Sequence, residues 1–527
     1  MADKDLEEKL PQLILKNKFL IVMDDMWNTK ALNDLRGSLP NDGNGSRILI
    51  TCRQDLKVKS HADPYNVRQL SDADSWKLLR KKIFNEECCP EELMKIGEQI
   101  AVTCKGLPLA IIAVSGLLQK IERQRKKWKE VEKDLTSRIV DDPEQQCRKI
   151  LELSYNCLPY YLKACFLYLG AFLENQDIPV KKLMQLWIAE GLVQRDELKS
   201  LEDVAEDYLT DLIDRSLVIV SQQRSIGGAK ACRVHDVLQR FCQSKAKQEK
   251  FLKVITGPDD SKVVNPSSPT TYDDHRLCFC SQRQHFIDSK PSGPYARSLL
   301  CFATNDKDPN YPYDISFIFQ NFRLLKVLDL ECINMKYSFP HGIEQLVSLR
   351  YLAVAGYINS IPPSIVYLWD LQTLIVRGLL RDEISLPDVI WCLKKLRHVH
   401  TSNFNVIRLQ DDGDGDSSGL DYLVTISSLI LHYGKETECI LRKISNVRKM
   451  KCRLSNSWDN SHNCNNFPRL EVLSKLESLK VTYDGRVQPG EFSFPSNLKK
   501  LTLSDFHLPW DKISAIGKLP VMIVDDV

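Results

Sequence analysis

The sequence predicts a multidomain α+β chain: a small parallel α/β unit, then helices, then a helical domain with one β-hairpin, and finally a repeat solenoid. Three observations predict it. Phe19-Leu-Ile-Val-Met23 is an apolar run that ends abruptly in Asp24-Asp25, the pattern of a strand buried on both faces of a parallel sheet. From Leu70 to about 250 the apolar residues recur at helical spacing, with one short strand pair near 217–234. Beyond 295 the template Leu-x-x-Leu-x-Leu recurs, its central residues Leu328, Leu352, Leu374 and Val399 stepping by 24, 22 and 25, within the period of leucine-rich repeats.

At 527 residues the chain has room for three or four domains of roughly 100–200 residues each. A net charge of +3 gives no global field toward nucleic acid or an anionic membrane. The 17 cysteines are scattered without a Cys-x-x-Cys pair, so neither zinc nor a disulfide framework is suggested. The start of the chain is charged and has no signal-peptide core, which predicts a cytoplasmic protein. The longest nearly apolar run, Leu107 to Leu118, is too short to span a bilayer.

In chain order, Leu6, Leu10 and Leu13 suggest a short amphipathic helix leading into the acidic strand. Ligands of open α/β sheets sit beyond the carboxyl ends of the strands, and a strand finishing in Asp can hold a hydrated Mg²⁺ beside a phosphate. Ile48-Leu-Ile-Thr-Cys-Arg53 reads as a second strand. Arg53 would share the sheet edge with Asp24 and Asp25, where it either grips a terminal phosphate or is merely solvated. Leu93, Ile96, Ile100, Ala101 and Cys104 mark a helix stopped by Gly106, and Pro108 can open a buried helix through Leu118. The basic run Lys120–Lys129 reads as a solvated face. Helices at Tyr160–Leu169, Val180–Glu190 and Leu201–Ile213, with strands at Leu217–Val220 and Ala231–Val234 around a Gly227-Gly228 turn, compose a winged helix. Its would-be recognition helix is too apolar for DNA. The stretch 251–294, with Pro266-Ser-Ser-Pro269 and Pro291-Ser-Gly-Pro294, reads as a linker. The template continues at Leu476-x-x-Leu479, Leu498-x-x-Leu501 and a degraded Leu519-x-x-Met522, and Gln410–Gly419 is an acidic loop. Stacked repeats of this kind form a curved solenoid that binds proteins.

Read together, Asp24-Asp25, Thr51-Cys-Arg53 and Gly106-Leu-Pro-Leu-Ala110 resemble, in order and spacing, the nucleotide-binding module of plant nucleotide-binding leucine-rich-repeat disease-resistance proteins. Trp27 and the stretches Cys165–Phe172 and Leu183–Leu192 are similar to the coiled-coil class, within it to the late-blight-resistance-like group of the nightshade family. Val234-His235-Asp236 matches the family's Met-His-Asp triplet. The resemblance implies an ADP/ATP-dependent immune switch, with a weak ATPase in which Asp24 holds Mg²⁺ through water and Asp25 orients the attacking water. It also implies nucleotide contacts at Arg53, Pro108, Leu109 and His235, the last on the β-phosphate of ADP. Implied partners are a pathogen effector or guarded host protein on the repeats, the winged helix itself as an intramolecular contact, and further copies on activation, without nucleic acid.

The domains follow as 1–68, partial nucleotide-binding α/β; 69–142, helical; 143–250, winged helix; 251–294, linker; and 295–527, leucine-rich repeats. No Gly-x-x-x-x-Gly-Lys-Ser/Thr loop occurs, so the reading expects a chain shortened at both ends. Losing about three charge-assisted hydrogen bonds to phosphate would cost on the order of 5 kcal/mol, which leaves ADP/ATP and Mg²⁺ binding weak or nil. A nucleotide-blind fragment acting as a protein-binding scaffold or decoy is the alternative function. A ubiquitin-ligase adaptor is disfavoured for want of an F-box-like segment.

Overall fold

The computed structural model describes residues 18–26, 45–52, 65–85, 87–137, 142–225, 227–257, 270–302, 312–335, 339–379, 383–402, 405–407, 419–432, 435–455, 468–484, 494–505 and 523–524. The chain divides into two compact units, Met1–Gln69 and Leu70–Val527.

In the first unit, β1 (Leu20–Met26) pairs in parallel with β2 (Arg47–Cys52), with Leu20 opposite Arg47 and Met23 opposite Ile50. Burial on both faces is not what the structure shows. Leu20 and Val22 remain 65% and 56% exposed, because among the described residues β1 has a single neighbour and no helix lies over either face. A parallel pair needs such cover to be stable. The amphipathic helix expected around Leu6–Leu13 lies outside the described residues.

The second unit begins with α1 (Asp72–Phe84), α2 (Glu91–Thr103), α3 (Pro108–Gln119), α4 (Arg125–Thr136), α5 (Pro143–Asn156) and α6 (Tyr160–Tyr168). Local chemistry sets their ends. Ser71 caps α1 by accepting the Asp74 N–H, and Pro108 opens α3 at its first turn. Ala110, Ile111, Val114, Leu117 and Leu118 of α3 are buried, as its nearly all-round apolar sequence demands.

The winged helix follows. Its elements are β3 (Ile178–Pro179), α7 (Val180–Glu190), α8 (Leu201–Asp214), β4 (Ile219–Gln223), β5 (Ala229–Arg233) and α9 (Asp236–Gln248). Gly191, at φ 77°, ends α7 in the left-handed conformation. Ser200 and Asp203 form a capping box on α8. The hairpin starts two residues later than the sequence suggests: Leu217 and Val218 are buried in the core, and pairing begins at Ile219 opposite Arg233. Their apolar character serves the core rather than a strand.

Parallel strands then stack without interruption: β6 (Lys253–Ile255), β7 (Arg276–Phe279), β8 (Ser298–Cys301), β9 (Val327–Met335), β10 (Tyr351–Gly356) and β11 (Thr373–Gly378). After the short β12 (Ile384–Leu386) come β13 (His398–Thr401), β14 (Asn405–Ile407), β15 (Thr425–His432), β16 (Lys449–Ser455), β17 (Ser478–Asp484), β18 (Lys500–Ser504) and β19 (Ile523–Val524). One ladder position runs through most of them, although β9–β10 and β15–β16 shift register beyond it. Leu277, Leu299, Leu328, Leu352, Leu374, Val399, Ile426, Met450, Leu479, Leu501 and Val524 lie opposite one another in turn. Three expectations are corrected. The stretch 251–294 is not only a linker, since β6, β7 and the buried Tyr272, Leu277, Phe279 and Phe286 belong to the solenoid and its core. Strands β15 and β16 fill the interval in which no template was read. At the last strand Val524, not Met522, takes the ladder position.

Side chains alternate across these strands, and the two faces enter different cores. Leu328, Leu330, Leu352, Val354, Leu374 and Val376 point into the solenoid core. Val327, Tyr351, Ala353 and Ile375, on the opposite face, join the core of the winged helix and the preceding helices. The concave face from β7 to β11 is therefore covered by the chain's own winged helix.

Candidate functional site

The residues singled out from sequence fall in both units. In the first, Asp24 is exposed toward the carboxyl end of β1, where its Oδ1 accepts the Thr51 hydroxyl. An exposed strand-end carboxylate fits a cation held through water. Among the described residues no group of three or more His, Cys, Asp or Glu side chains converges as a direct metal site. The side chain of Asp25, and the whole of Arg53 and Trp27, lie outside the described residues.

In the second unit Pro108 is exposed and Leu109 half-buried on the first turn of α3. His235 is the cap of α9, where peptide N–H groups point outward and favour an anion. Its ring is half-exposed, with Nδ1 2.6 Å from Oδ1 of the nearly buried Asp236 and 3.3 Å from the Val237 N–H. Arg240 holds the other Asp236 oxygen at 3.1 Å and reaches Glu174, also at 3.1 Å. Asp236 thus fixes the imidazole through Nδ1. Val234 is buried beneath it.

A second set of residues escapes sequence reasoning. Along the covered concave face a row of ion pairs, most of them buried, joins the winged helix to the repeats. At the end of α7, Glu190 accepts Arg276 Nε of β7 at 2.8 Å and the Ser298 hydroxyl of β8. At its start, Lys182 Nζ lies 2.6 Å from Asp329 and 2.7 Å from Glu331 on β9, while Arg377 of β11 reaches Glu331 at 2.7 Å. In the first turn of α8, Glu202 receives Arg397 Nε at 2.7 Å and His398 Nε2 at 3.1 Å on β13. Asp203, next to it, takes Arg448 at 2.7 Å.

The electrostatics match the geometry. Burial alone would raise the Glu202 carboxyl, but Arg397 and His398 hold it far below the usual range. Burial likewise pulls Lys182 down, and Asp329 and Glu331 more than reverse this. His398 is lowered by burial despite Glu202, and His400, which faces Gln185, is pushed down to about 3 by burial, His398 and Lys181. Charges buried this deeply persist only when paired. A signal for this face was present in the sequence. Positions between the template leucines are Val327, Tyr351, Ala353 and Ile375 in the covered repeats, but Lys449, Lys451, Arg453 and Lys480 further on. Apolar residues at positions that should meet water announce a cover.

Comparison with known proteins agrees with this organisation. Residues 1–89 match the NB-ARC domain, 171–242 the disease resistance protein winged helix domain, and 297–523 the leucine-rich repeat region. Over 96% of its length the chain is 37% identical to a late blight resistance protein of Solanum demissum, and to the same degree to a putative late blight resistance protein homolog of that plant. Its modules are those of the plant nucleotide-binding leucine-rich-repeat resistance proteins. The chain spans 39% of the length of these relatives. An internalin of Listeria monocytogenes is 17% identical over 48% of this chain and 80% of its own, at a TM-score of 0.29, too slight a likeness to carry an argument. Leucine-rich repeats are protein-interaction modules. No helix among the described residues is long and apolar enough to cross a membrane.

Proposed function

We propose that this chain is the switch-and-repeat portion of a cytoplasmic plant immune receptor. In the resting state ADP engages His235, Pro108 and Leu109, and the winged helix stays clasped on the concave repeats. Recognition of a pathogen effector or guarded host protein by the repeats, with exchange of ADP for ATP, releases the clasp. Oligomerisation and hypersensitive cell death follow. In an intact receptor Asp24 would be the residue to hold Mg²⁺ through water, and Asp25 the one to orient water for slow hydrolysis.

The row of largely buried ion pairs between α7–α8 and the repeats carries this reading. Hydrophobic cover alone would give a permanent joint. Charged pairs hold strongly when complete and are costly when one partner leaves, the property of a two-state element rather than a scaffold.

Asp236→Val tests the nucleotide end of the switch. It strips the carboxylate from His235 and Arg240, two contacts to charged groups at about 1.5–3 kcal/mol each, and removes an acid from the first turn of α9. Introduced into a full-length receptor containing this segment, the change should give cell death in leaf tissue without any effector. A silent mutant accumulating to the wild-type level would sink the assignment of Val234-His235-Asp236 as the latch.

A further inference from the structure

Beside β13, a cavity of about 500 Å³ opens between α7, α8, the β4–β5 turn and strands β13 to β17. That volume is in the range of small-molecule sites. Met184, Ile188 and Val424 contribute apolar wall, and most of the remaining lining side chains are charged. Each carboxylate facing it is already engaged: Glu202 by Arg397 and His398, Asp203 by Arg448, Glu206 by Arg224, and Glu477 by Lys499.

Two cations are left over. Lys181, on the first turn of α7, and Lys449, at the start of β16, line the same space and make no ion pair among the described residues. Burial and then the neighbouring Lys449 and Arg224 push the Lys181 ammonium down to about 8, with no carboxylate offsetting them. Lys449 is lowered by burial and by Arg224 as well, with Glu206 and Glu477 offsetting part of this from a distance. Further along the same face Lys451, opposite Lys480 in the ladder, keeps the field positive. Like charges held together in a recess are unfavourable until an anion joins them.

We propose that this cavity binds a small phosphate-bearing molecule, gripped by Lys181 and Arg224 from the winged helix and by Lys449 from the repeats. Two ammonium groups and a guanidinium whose fork spends only one 3.4 Å contact on Glu206 match phosphate oxygens better than a single carboxylate. Because the walls come from both sides of the clasp, the ligand binds only the clasped form and stabilises it by mass action. The proposal draws nothing from the nucleotide reading of His235, so either can fail alone.

The test is calorimetric titration and thermal melting of the 527-residue chain with inorganic pyrophosphate, inorganic phosphate and acetate at matched ionic strength. Pyrophosphate should bind saturably and raise the melting temperature, phosphate should do so more weakly, and acetate should do neither. In Lys181→Gln/Lys449→Gln, pyrophosphate affinity should fall by about tenfold or more, the loss of at least one charge-assisted hydrogen bond. The charge-keeping pair Lys181→Arg/Lys449→Arg should bind as the wild type does. Absence of saturable binding in the wild type, unchanged affinity in the glutamine pair, or equal loss in both pairs would overturn the proposal.

Discussion

Arg397→Glu probes the clasp at a deeply buried pair. Arg397 and its partner Glu202 are both about nine-tenths covered, and the guanidinium serves Glu202 through two of its nitrogens. Removing one partner of such a pair typically costs about 3–5 kcal/mol, and the reversal adds repulsion between two carboxylates beside His398. A closed state favoured 99 to 1 is held by only about 2.7 kcal/mol, half of what a full 1:99 to 99:1 inversion requires. The substitution should therefore leave the receptor mostly open. Restoring opposite signs with Glu202→Arg should close it again, though incompletely, because His398 loses the carboxylate that Nε2 now meets at 3.1 Å. The assay is leaf cell death without effector, at matched protein level, for the two single changes and the pair in a full-length receptor. A silent Arg397→Glu, or a pair as active as the single changes, would refute the reasoning.

Two further outcomes follow from the same structure. Acid should loosen the clasp: His398 and His400 take up protons less readily in the fold than in the unfolded chain, whose rings gain them below about pH 6.5, so their contribution falls as pH drops through that value. Glu202, depressed in the fold, adds its loss below the usual carboxylate range; urea midpoints measured at about pH 7.5, 6 and 4.5, which bracket the ordinary histidine range and approach the carboxylate one, should decline in that order, and a flat series would contradict it. Gly116→Ala should destabilise the second unit by at least the ~1–3 kcal/mol of ordinary overpacking, because its Cβ would fall 1.9 Å from the Arg215 carbonyl oxygen, a backbone atom that has no rotamer to move to; an unchanged urea midpoint would argue against that close approach of α3 to the end of α8.

Much of the architecture is legible from local pattern. Template leucines place β9, β10, β11, β13, β17 and β18, since each must enter one continuous core and the period repeats whatever the loops contain. Strands β15 and β16 are harder to see because Ser428 and Cys452 stand at the third template position, and β6 and β7 hide in a proline-rich stretch. The candidate latch is legible through the Val234-His235-Asp236 motif. The clasp is not, because its partners lie 149 residues apart for Lys182 and Glu331 and 195 for Glu202 and Arg397. No helical or strand period spans such distances. Charge in a single sequence also does not say which acid meets which base.

Hydroxyl-radical footprinting of Tyr351 tests the central claim most directly. On a bare concave face its ring would meet solvent, but here it is fully buried in the core shared with the winged helix, whereas Tyr367 nearby in sequence is 60% exposed and serves as an internal standard. The clasped structure predicts that Tyr367 is modified and Tyr351 is spared in the wild-type chain, and that Arg397→Glu brings Tyr351 toward the rate of Tyr367. Equal modification of the two tyrosines in the wild type would contradict a winged helix seated on its own repeats.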